Sequence, residues 1–240
     1  MSGKHGMRGW WVAASLALLA LPGAIGQDIS EFEDEYADQV QIADPLQPFN
    51  RVIYAVNDKL YFWLMKPLAL GYEAVVPMPA RQGIHSMFDN VAMPKRFANC
   101  LLQGRFHDGG TELARFGLNS TVGLLGWRDV ATEKWSIKQH SEDTGQSFGV
   151  WGIGRGISLT LPVFGPSNAR DAVGLVGDVF LDPIHYLSGT WVRVGLNAEK
   201  RVNNLSLMLG EYEKTKASAL DHYLSLRDMY EQYRRRQVAE

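Results

Sequence analysis

Six glycines recur in the stretch from Thr144 to Asp171, TGQSFGVWGIGRGISLTLPVFGPSNARD, which carries little charge. They lie between aromatic and aliphatic residues, at positions 145, 149, 152, 154, 156 and 165. A glycine inside a helix costs about 1 kcal/mol relative to alanine. Six of them therefore predict that the backbone here passes close to another part of the molecule or turns sharply. We expect function to depend on this stretch more than on any single polar residue.

The same stretch contains GQSFG at 145–149, which matches the G-x-S-x-G nucleophile elbow of α/β hydrolases. Asp171 or Asp178 followed by His185 has the chain order of a catalytic triad. A serine lipase or esterase is therefore one interpretation. An elbow needs an apolar strand before the serine, however, and residues 138–143 are KQHSED. We predict that Ser147 is a small residue in a packed turn and that the protein is not an enzyme.

The N-terminal 26 residues have the features of a cleavable export signal. Two basic residues precede a short apolar run, Trp10–Leu21, and Ala24 and Gly26 have the small side chains that signal peptidase requires. The run is shorter than the roughly 20 residues of a membrane span. Residues 27–43 contain several acids but no lysine or arginine, which predicts a flexible linker. The net charge of −2 argues against a nucleic-acid partner.

Cysteine and histidine content limits the chemistry. Cys100 is the only cysteine, so an exported chain of this sequence has no intramolecular disulfide. No cysteine follows the apolar run, so we expect no lipid anchor at the cleavage site. The six histidines are scattered and form no metal-binding motif. We therefore expect neither a metal nor a cofactor.

Apolar residues recur at helical spacing through residues 44–240, which predicts a single, mainly α-helical domain. The first helix is expected to begin at Asp44-Pro45, with the carboxylate as its cap, and to end at Lys66-Pro67. Its last turn is apolar all round and its polar stripe is narrow. Such a helix lies either in a protein core or in a membrane interface, with tyrosine and tryptophan at its margins.

Two further segments differ from this helical pattern. The sequence LTLPVF at 159–164 is expected to be extended. The sequence STVGLLGW at 120–127 is apolar and uncharged, and in water it would promote association. We interpret it as a hairpin that dips among lipids or gates an opening, with Gly123 and Gly126 giving it mobility.

Several motifs occur in one order along the chain: DPLQPFNRVIYAVN, PMPARQG, LLQG, ARFGLNSTVGLLGWRDVA, GVWGIGRG and LPVFGPSNARDAVG. Together with DHYLSLRDMYEQYRRR from Asp221, they resemble the VacJ/MlaA family of outer-membrane phospholipid-transport proteins. Members are commonly lipoproteins, and this chain lacks the lipid-acceptor cysteine. It also has Thr144 and Ile157-Ser158 where the family often has other residues, which weakens the transfer of detailed contacts in that turn.

The resemblance implies a ring of amphipathic helices seated in the periplasmic leaflet of the outer membrane. Misplaced phospholipids would enter a passage and leave toward a soluble periplasmic carrier, and trimeric porins are an implied membrane partner. A lipid passage needs an apolar surface for the tails and a polar stripe for the headgroup. Our candidates for polar lining are Asn57, Asp58, Arg128, Asp129, Arg170 and Asp171. The lipase and a purely structural envelope scaffold remain the alternatives.

Overall fold

The computed structural model describes residue 42 and residues 44–239, so the predicted export signal lies outside the described residues, as does nearly all of the acidic linker. The helices are α1 (Gln47–Leu60), α2 (Lys66–Val75), α3 (Met78–Val91), α4 (Met93–Leu102), α5 (Phe106–Thr121), α6 (Val130–Trp135), α7 (Thr144–Val150), α8 (Ala169–Leu181), α9 (Thr190–Leu207), α10 (Glu211–Ser218) and α11 (His222–Ala239). A π-helical turn, Tyr61–Met65, joins α1 to α2, and a 3-10 turn, Pro183–Tyr186, follows α8. Strands β1 (Ser158–Leu161) and β2 (Gly165–Asn168) form an antiparallel hairpin. The prediction of a mainly α-helical fold is confirmed.

The predicted end of the first helix at Lys66-Pro67 is wrong, because the helical path continues through the π turn to Val75. In this wider turn the Lys66 amide donates to the Tyr61 carbonyl, five residues earlier. The missing N–H of Pro67 therefore falls in the first turn of α2, where a proline disrupts least. The predicted cap is also wrong. The Asp44 carboxylate accepts hydrogen bonds from the side chains of Asn50 and Tyr223.

The glycine-rich stretch contains both a close backbone contact and sharp turns, as its composition predicts. Its first seven residues form α7, which begins where the Asp143 side chain accepts from the Gln146 amide at 2.8 Å. A Cβ at Gly174 of α8 would lie 2.5 Å from the backbone nitrogen of Gly145, so the two helices touch backbone to backbone. Sharp turns follow after α7, where Gly152 has a positive φ of 84°. The predicted packed turn around Ser147 is thus a helix, and the glycine-rich turn proper comprises residues 151–157.

The extended segment predicted at 159–164 begins as β1, and two asparagines of α1 hold the hairpin in place. Asn50 donates to the Ser158 carbonyl at 3.0 Å and accepts from the Thr160 amide at 2.9 Å. Two turns later, Asn57 donates to the Leu161 carbonyl and accepts from the Val163 amide, at 2.9 and 2.8 Å. Each amide group thus satisfies backbone atoms along an edge of β1 that would otherwise lack partners.

The distribution of polar and apolar side chains is the reverse of that in an ordinary soluble protein. Among residues 44–239, buried polar and charged side chains outnumber buried apolar ones by more than two to one. The buried apolar residues are Ala69, Ala92, Met93, Cys100, Val130, Ala131, Ile184 and Tyr223. The larger apolar side chains, including Phe49, Trp63, Val176, Phe180 and Trp191, lie exposed on the outer faces of α1, the π turn, α8 and α9. A protein core is therefore excluded as the environment of the apolar face of the first helix.

No described helix combines the length and the hydropathy that crossing a bilayer requires.

Candidate functional site

Three neighbouring cavities lie along one face of α11. Tyr223, Tyr230 and Arg234 share this face because their spacing of seven and four residues returns to the same side of a helix. The tyrosine cavity lies beside Tyr223, the central cavity beside Tyr230 and Arg234, and the arginine cavity beside Arg234 and the last turn of α11. Pro166 of the hairpin borders the first two cavities, and Arg234 borders the last two.

The tyrosine cavity, of about 110 Å³, is almost entirely apolar. It is lined by Tyr54, Asn57, Tyr61, Ser158, Leu159, Thr160, Gly165, Pro166, Tyr212, Tyr223, Leu226 and Arg227. The tyrosine hydroxyls bind other side chains: Tyr61 donates to Glu213 and Tyr212 donates to Asp58, both at 2.8 Å. Burial, together with the Asp44 carboxylate, raises the pKa of Tyr223 to about 12. These neutral phenols leave aromatic carbon as the main surface of the cavity.

The central cavity, of about 210 Å³, is lined by apolar and polar side chains, which we call its apolar and polar walls, with α8 contributing residues to both. Its apolar wall comprises Leu161, Phe164, Pro166 and Leu175, from the hairpin and α8. Its polar wall comprises Asp143, Ser167, Asp171, Asp178, Tyr230 and Arg234. A space with walls of both kinds can hold an amphipathic molecule, because tails and headgroup each find a matching surface.

A buried charge network forms the polar wall. Arg234 of α11 donates to Asp171 at 2.8 and 2.9 Å and to Asp143 at 2.6 and 2.9 Å. Tyr230 donates to Asp171 at 2.8 Å. Asp171 and Arg234 are only 5% and 6% exposed. Burial opposes ionisation of Asp171, but the hydrogen bonds and charge of Arg234 outweigh it and hold the pKa of this carboxyl below its usual value. The pKa of Asp143 is lowered by the same balance.

Three of the six predicted lining residues line these cavities, and a fourth, Asp58, binds a residue that lines one of them. Asn57 lines the tyrosine cavity, Asp171 the central cavity and Arg170 the arginine cavity. Asp58 lies behind the tyrosine cavity, where it accepts from Tyr212 and pairs with Lys216 at 2.5 Å. The role of these residues in a lipid path stays a prediction.

The other two predicted residues lie elsewhere. Arg128 is exposed and pairs with Glu133 at 2.6 Å on the surface. Asp129 caps α6 and binds Arg115 at 2.9 Å beside a separate polar cavity of about 110 Å³. Neither residue lines the α11 cavities. Their role in a lipid path stays a prediction.

The apolar loop at 122–127 is anchored at its two glycines. A Cβ at Gly123 would lie 2.3 Å from the Arg128 carbonyl, and one at Gly126 would lie 2.5 Å from the Asn90 side chain. Leu124 and Leu125, between them, are exposed and have positive φ values of 55° and 60°. Gly123 and Gly126 thus allow close packing at the base of the loop, while its apolar tip projects outward. Gating by this loop stays a prediction.

Ser147 does not have the geometry of a nucleophile elbow. It lies within α7, is fully buried and donates to the Asn99 side chain at 2.8 Å. Its hydroxyl also accepts from Gln103 at 3.3 Å. An elbow serine must be exposed at a turn between strand and helix, so Ser147 has a packing role here. Among the described residues, no group of histidine, cysteine, aspartate and glutamate side chains is arranged to hold a metal ion.

Sequence reasoning missed Arg234, Asp143 and the carboxylate Glu231. Tyr223 and Tyr230 recur at helical spacing in the last helix, and Arg234 falls on the same face one turn after Tyr230. Its position on the same helix face as the two tyrosines is the sequence feature that could have identified Arg234. Asp143 could have been found as a capping residue three positions before Gln146. Only the fold shows that their side chains meet.

The family model described as MlaA lipoprotein matches residues 42–237. The chain belongs to the MlaA family. It is 30% identical over 201 residues to the intermembrane phospholipid transport system lipoprotein MlaA of Escherichia coli, covering 80% of this chain and 77% of the relative. The MlaA lipoprotein of Haemophilus influenzae is 26% identical over 231 residues, covering 92% and 87%. A solved structure described under "Structural basis for maintenance of bacterial outer membrane lipid asymmetry" superposes with a TM-score of 0.72 at 27% identity, covering 82% of this chain and 99% of that one.

The MlaA relatives are named lipoproteins, whereas the single cysteine of this chain lies in α4. Cys100 is fully buried, and burial together with nearby carboxylates raises the pKa of its thiol to about 12. A neutral, buried thiol of this kind behaves as a small apolar side chain. Cys100 therefore contributes to packing within the MlaA fold.

Proposed function

We propose that this chain is the phospholipid-transport component of the MlaA type that maintains lipid asymmetry of the outer membrane. It removes misplaced phospholipids from the outer leaflet and passes them to a soluble periplasmic carrier. The observation that carries the proposal is the inverted distribution of side chains, with large apolar residues outside and charged residues inside. Such a surface is stable in contact with lipid tails, and such an interior can hold a headgroup.

The outer apolar faces provide the means of membrane residence. A fully buried large apolar side chain contributes about 1.5–3 kcal/mol, whereas a single acyl chain binds a membrane only marginally. Five or six such side chains would replace a lipid anchor, and exposed candidates include Trp63, Phe106, Leu124, Leu125 and Trp191. We therefore propose that the chain is exported by a signal at 1–26 and resides on the periplasmic side without lipidation. Residues 27–43 would then be a linker to the domain at 44–240.

The cavities along α11 suggest how the chain handles a lipid. The tyrosine cavity offers carbon surface to an acyl segment, and the two walls of the central cavity suit the boundary between tail and headgroup. Transfer needs no covalent step. The lipid tails move from one apolar surface to another, and the headgroup moves from one polar surface to another. By the family resemblance, we also propose a trimeric porin as a partner in the membrane.

Co-purified phospholipid tests this function. We expect mass spectrometry of the protein, extracted in a mild non-ionic detergent, to detect bound phospholipid, and we expect loss of the protein to raise phospholipid in the outer leaflet. Leu175→Glu adds a charge to the apolar wall of the central cavity and should lower the bound amount, whereas exposed Gln232→Glu on α11 adds the same charge outside it.

The rival functions give different results in the same preparation. A structural scaffold would contain no bound phospholipid, and that result would refute the transport proposal. A lipase would release fatty acid from added phospholipid and would lose this activity on Ser147→Ala.

A further inference from the structure

The arginine cavity, of about 280 Å³, is lined by more arginines than either of the other two α11 cavities. Its lining residues are Arg155, Arg170, Glu231, Arg234, Arg235, Val238 and Ala239. Four arginines and one glutamate thus border this space. Guanidinium groups bind phosphate oxygens well, because their paired N–H donors match the geometry of the anion.

Not all of this charge is neutralised within the protein. Arg234 is paired with Asp143 and Asp171, and Arg170 shares Asp171 at 2.9 Å. Arg155 contacts Glu231 through one long bond of 3.3 Å. Arg235 is exposed and forms no ion pair with any described residue. Four arginines therefore share three carboxylates, which leaves one net positive charge, and the cavity has capacity for one further anion.

The N-terminal amides of α8 contribute little to anion binding here, because they already donate hydrogen bonds to backbone carbonyls. The Ala169 amide donates to the Ile157 carbonyl at 3.0 Å, and the Arg170 amide donates to the Arg155 carbonyl at 3.2 Å. These bonds fix the glycine-rich turn against α8, so that Arg155 and Arg170 lie beside the same cavity. Recognition of an anion would depend on the side chains and not on the helix dipole.

The surroundings of the cavity identify the kind of anion. In the glycine-rich turn, which contributes Arg155 to the cavity, Trp151, Ile153 and Ile157 are exposed within seven residues that contain no charge other than Arg155. A free ion or a purely acidic peptide has no apolar groups with which to contact this surface. A phospholipid has such groups, and its acyl chains can contact the turn while its phosphate reaches the arginines.

We propose that the arginine cavity binds the phosphodiester of a phospholipid headgroup through Arg155, Arg170 and Arg235, with Trp151 and Ile153 beside the acyl chains. This inference rests on the proposed transport function and assigns its headgroup site. The cavity lies next to the central cavity across Arg234, so a lipid held here has its tails close to the apolar wall formed by the hairpin and α8.

Calorimetric titration of the full chain in non-ionic detergent tests the site. The titrants are dihexanoyl phosphatidylglycerol below its critical micelle concentration, inorganic phosphate, and dihexanoylglycerol, which has no phosphate. We expect the phospholipid to bind the wild type and the other two to bind at least about tenfold more weakly, because each lacks one of the two recognised parts. Equal binding of dihexanoylglycerol or of inorganic phosphate would overturn the proposal.

Variants separate the arginines from a general effect of charge. We expect Arg235→Gln to weaken phospholipid binding about tenfold or more. The double change Arg155→Gln with Glu231→Gln should do the same, although it preserves net charge and leaves no unpaired buried carboxylate. Arg236→Gln is the control, since Arg236 is exposed and does not line the cavity.

Failure of the headgroup-site proposal can be distinguished from failure of the transport proposal. If these variants bind the short-chain phospholipid as the wild type does, while the wild type still co-purifies with phospholipid, the headgroup site is wrong and transport stands. If the variants instead lose binding of a polyglutamate peptide and not of the lipid, the cavity is a protein-docking site and the proposal is also wrong. Absence of phospholipid from the wild type would refute the transport function itself.

Discussion

Arg234→Met lowers the free energy of unfolding by about 3–5 kcal/mol, the cost of removing one partner from a buried charge network. Asp143 and Asp171 both bind the Arg234 guanidinium, and methionine leaves these two carboxylates facing each other across a largely buried space. Thermal unfolding followed by circular dichroism in detergent should show a Tm lower by about 10 °C. Arg236→Met is the control. Arg236 lies two residues after Arg234 in α11 and is exposed, so this change should alter the Tm little.

The difference in stability between the wild type and Arg234→Met should depend on pH. In the wild type the pKa values of Asp143 and Asp171 are lowered, so their stabilisation is complete above the unfolded value of about 3.9 and is lost as the pH falls through the folded values. In Arg234→Met the same carboxyls are buried without their partner, so their pKa values rise and ionisation destabilises the variant as the pH increases. The difference in Tm between the two proteins should therefore be larger at pH 7 than at pH 4.

Rescue distinguishes the charge network from simple loss of packing. Asp143→Asn and Asp171→Asn added to Arg234→Met remove the unpaired charges and should recover part of the lost stability. An Arg234→Met protein as stable as the wild type at pH 7 would show that the network does not hold α11 to α7 and α8.

Gly174→Ala is expected to destabilise the fold by about 1–3 kcal/mol through overpacking. The added Cβ would lie 2.5 Å from the backbone nitrogen and 2.6 Å from the Cα of Gly145, and neither atom can rotate away. Helices α7 and α8 must therefore separate, which also moves Asp143 and Asp171 relative to Arg234. Thermal unfolding measures the effect.

Gly195→Ala is the matched control for this prediction. Gly195 lies in α9 with nothing within 4 Å of the added Cβ, so alanine should stabilise the protein by about 0.5–1 kcal/mol through its helix propensity. Opposite shifts of Tm for the two variants are expected. Shifts of the same sign would mean that the contact between α7 and α8 is not tight.

The ends of some helices carry signals that can be recognised in the sequence. Pro94 lies in the first turn of α4, Gly104 follows its end with a positive φ of 75°, and Asn168 caps α8. Helices α7 and α10 were not predicted, for local reasons. Helix α7 consists largely of residues with low helix propensity, and tertiary contact with α8 and α11 overrides that preference. Helix α10, Glu211–Ser218, has almost no apolar face, so periodicity could not reveal it.

The candidate site was only partly predictable, because the position of a polar residue along the chain does not show which side chains it meets in the fold. Arg170 and Asp171 are neighbours in the sequence, and they line adjacent cavities. Arg128 and Asp129 are also neighbours, yet one is exposed and the other caps α6. Arg234 is the first of three consecutive arginines, a run that is typical of a solvated terminus. Which of the three turns inward depends on the register of α11 against α7, and that is a property of the fold.

Quenching of single tryptophans by brominated phospholipids tests most directly whether the apolar faces of this chain contact lipid. Trp63 and Trp191, which are 78% and 85% exposed, should each be retained in turn as the sole tryptophan of the protein in bilayers. We expect blue-shifted emission, strong quenching by the brominated lipid and little quenching by acrylamide in the water. Red-shifted emission that acrylamide quenches and the brominated lipid does not would contradict contact with lipid.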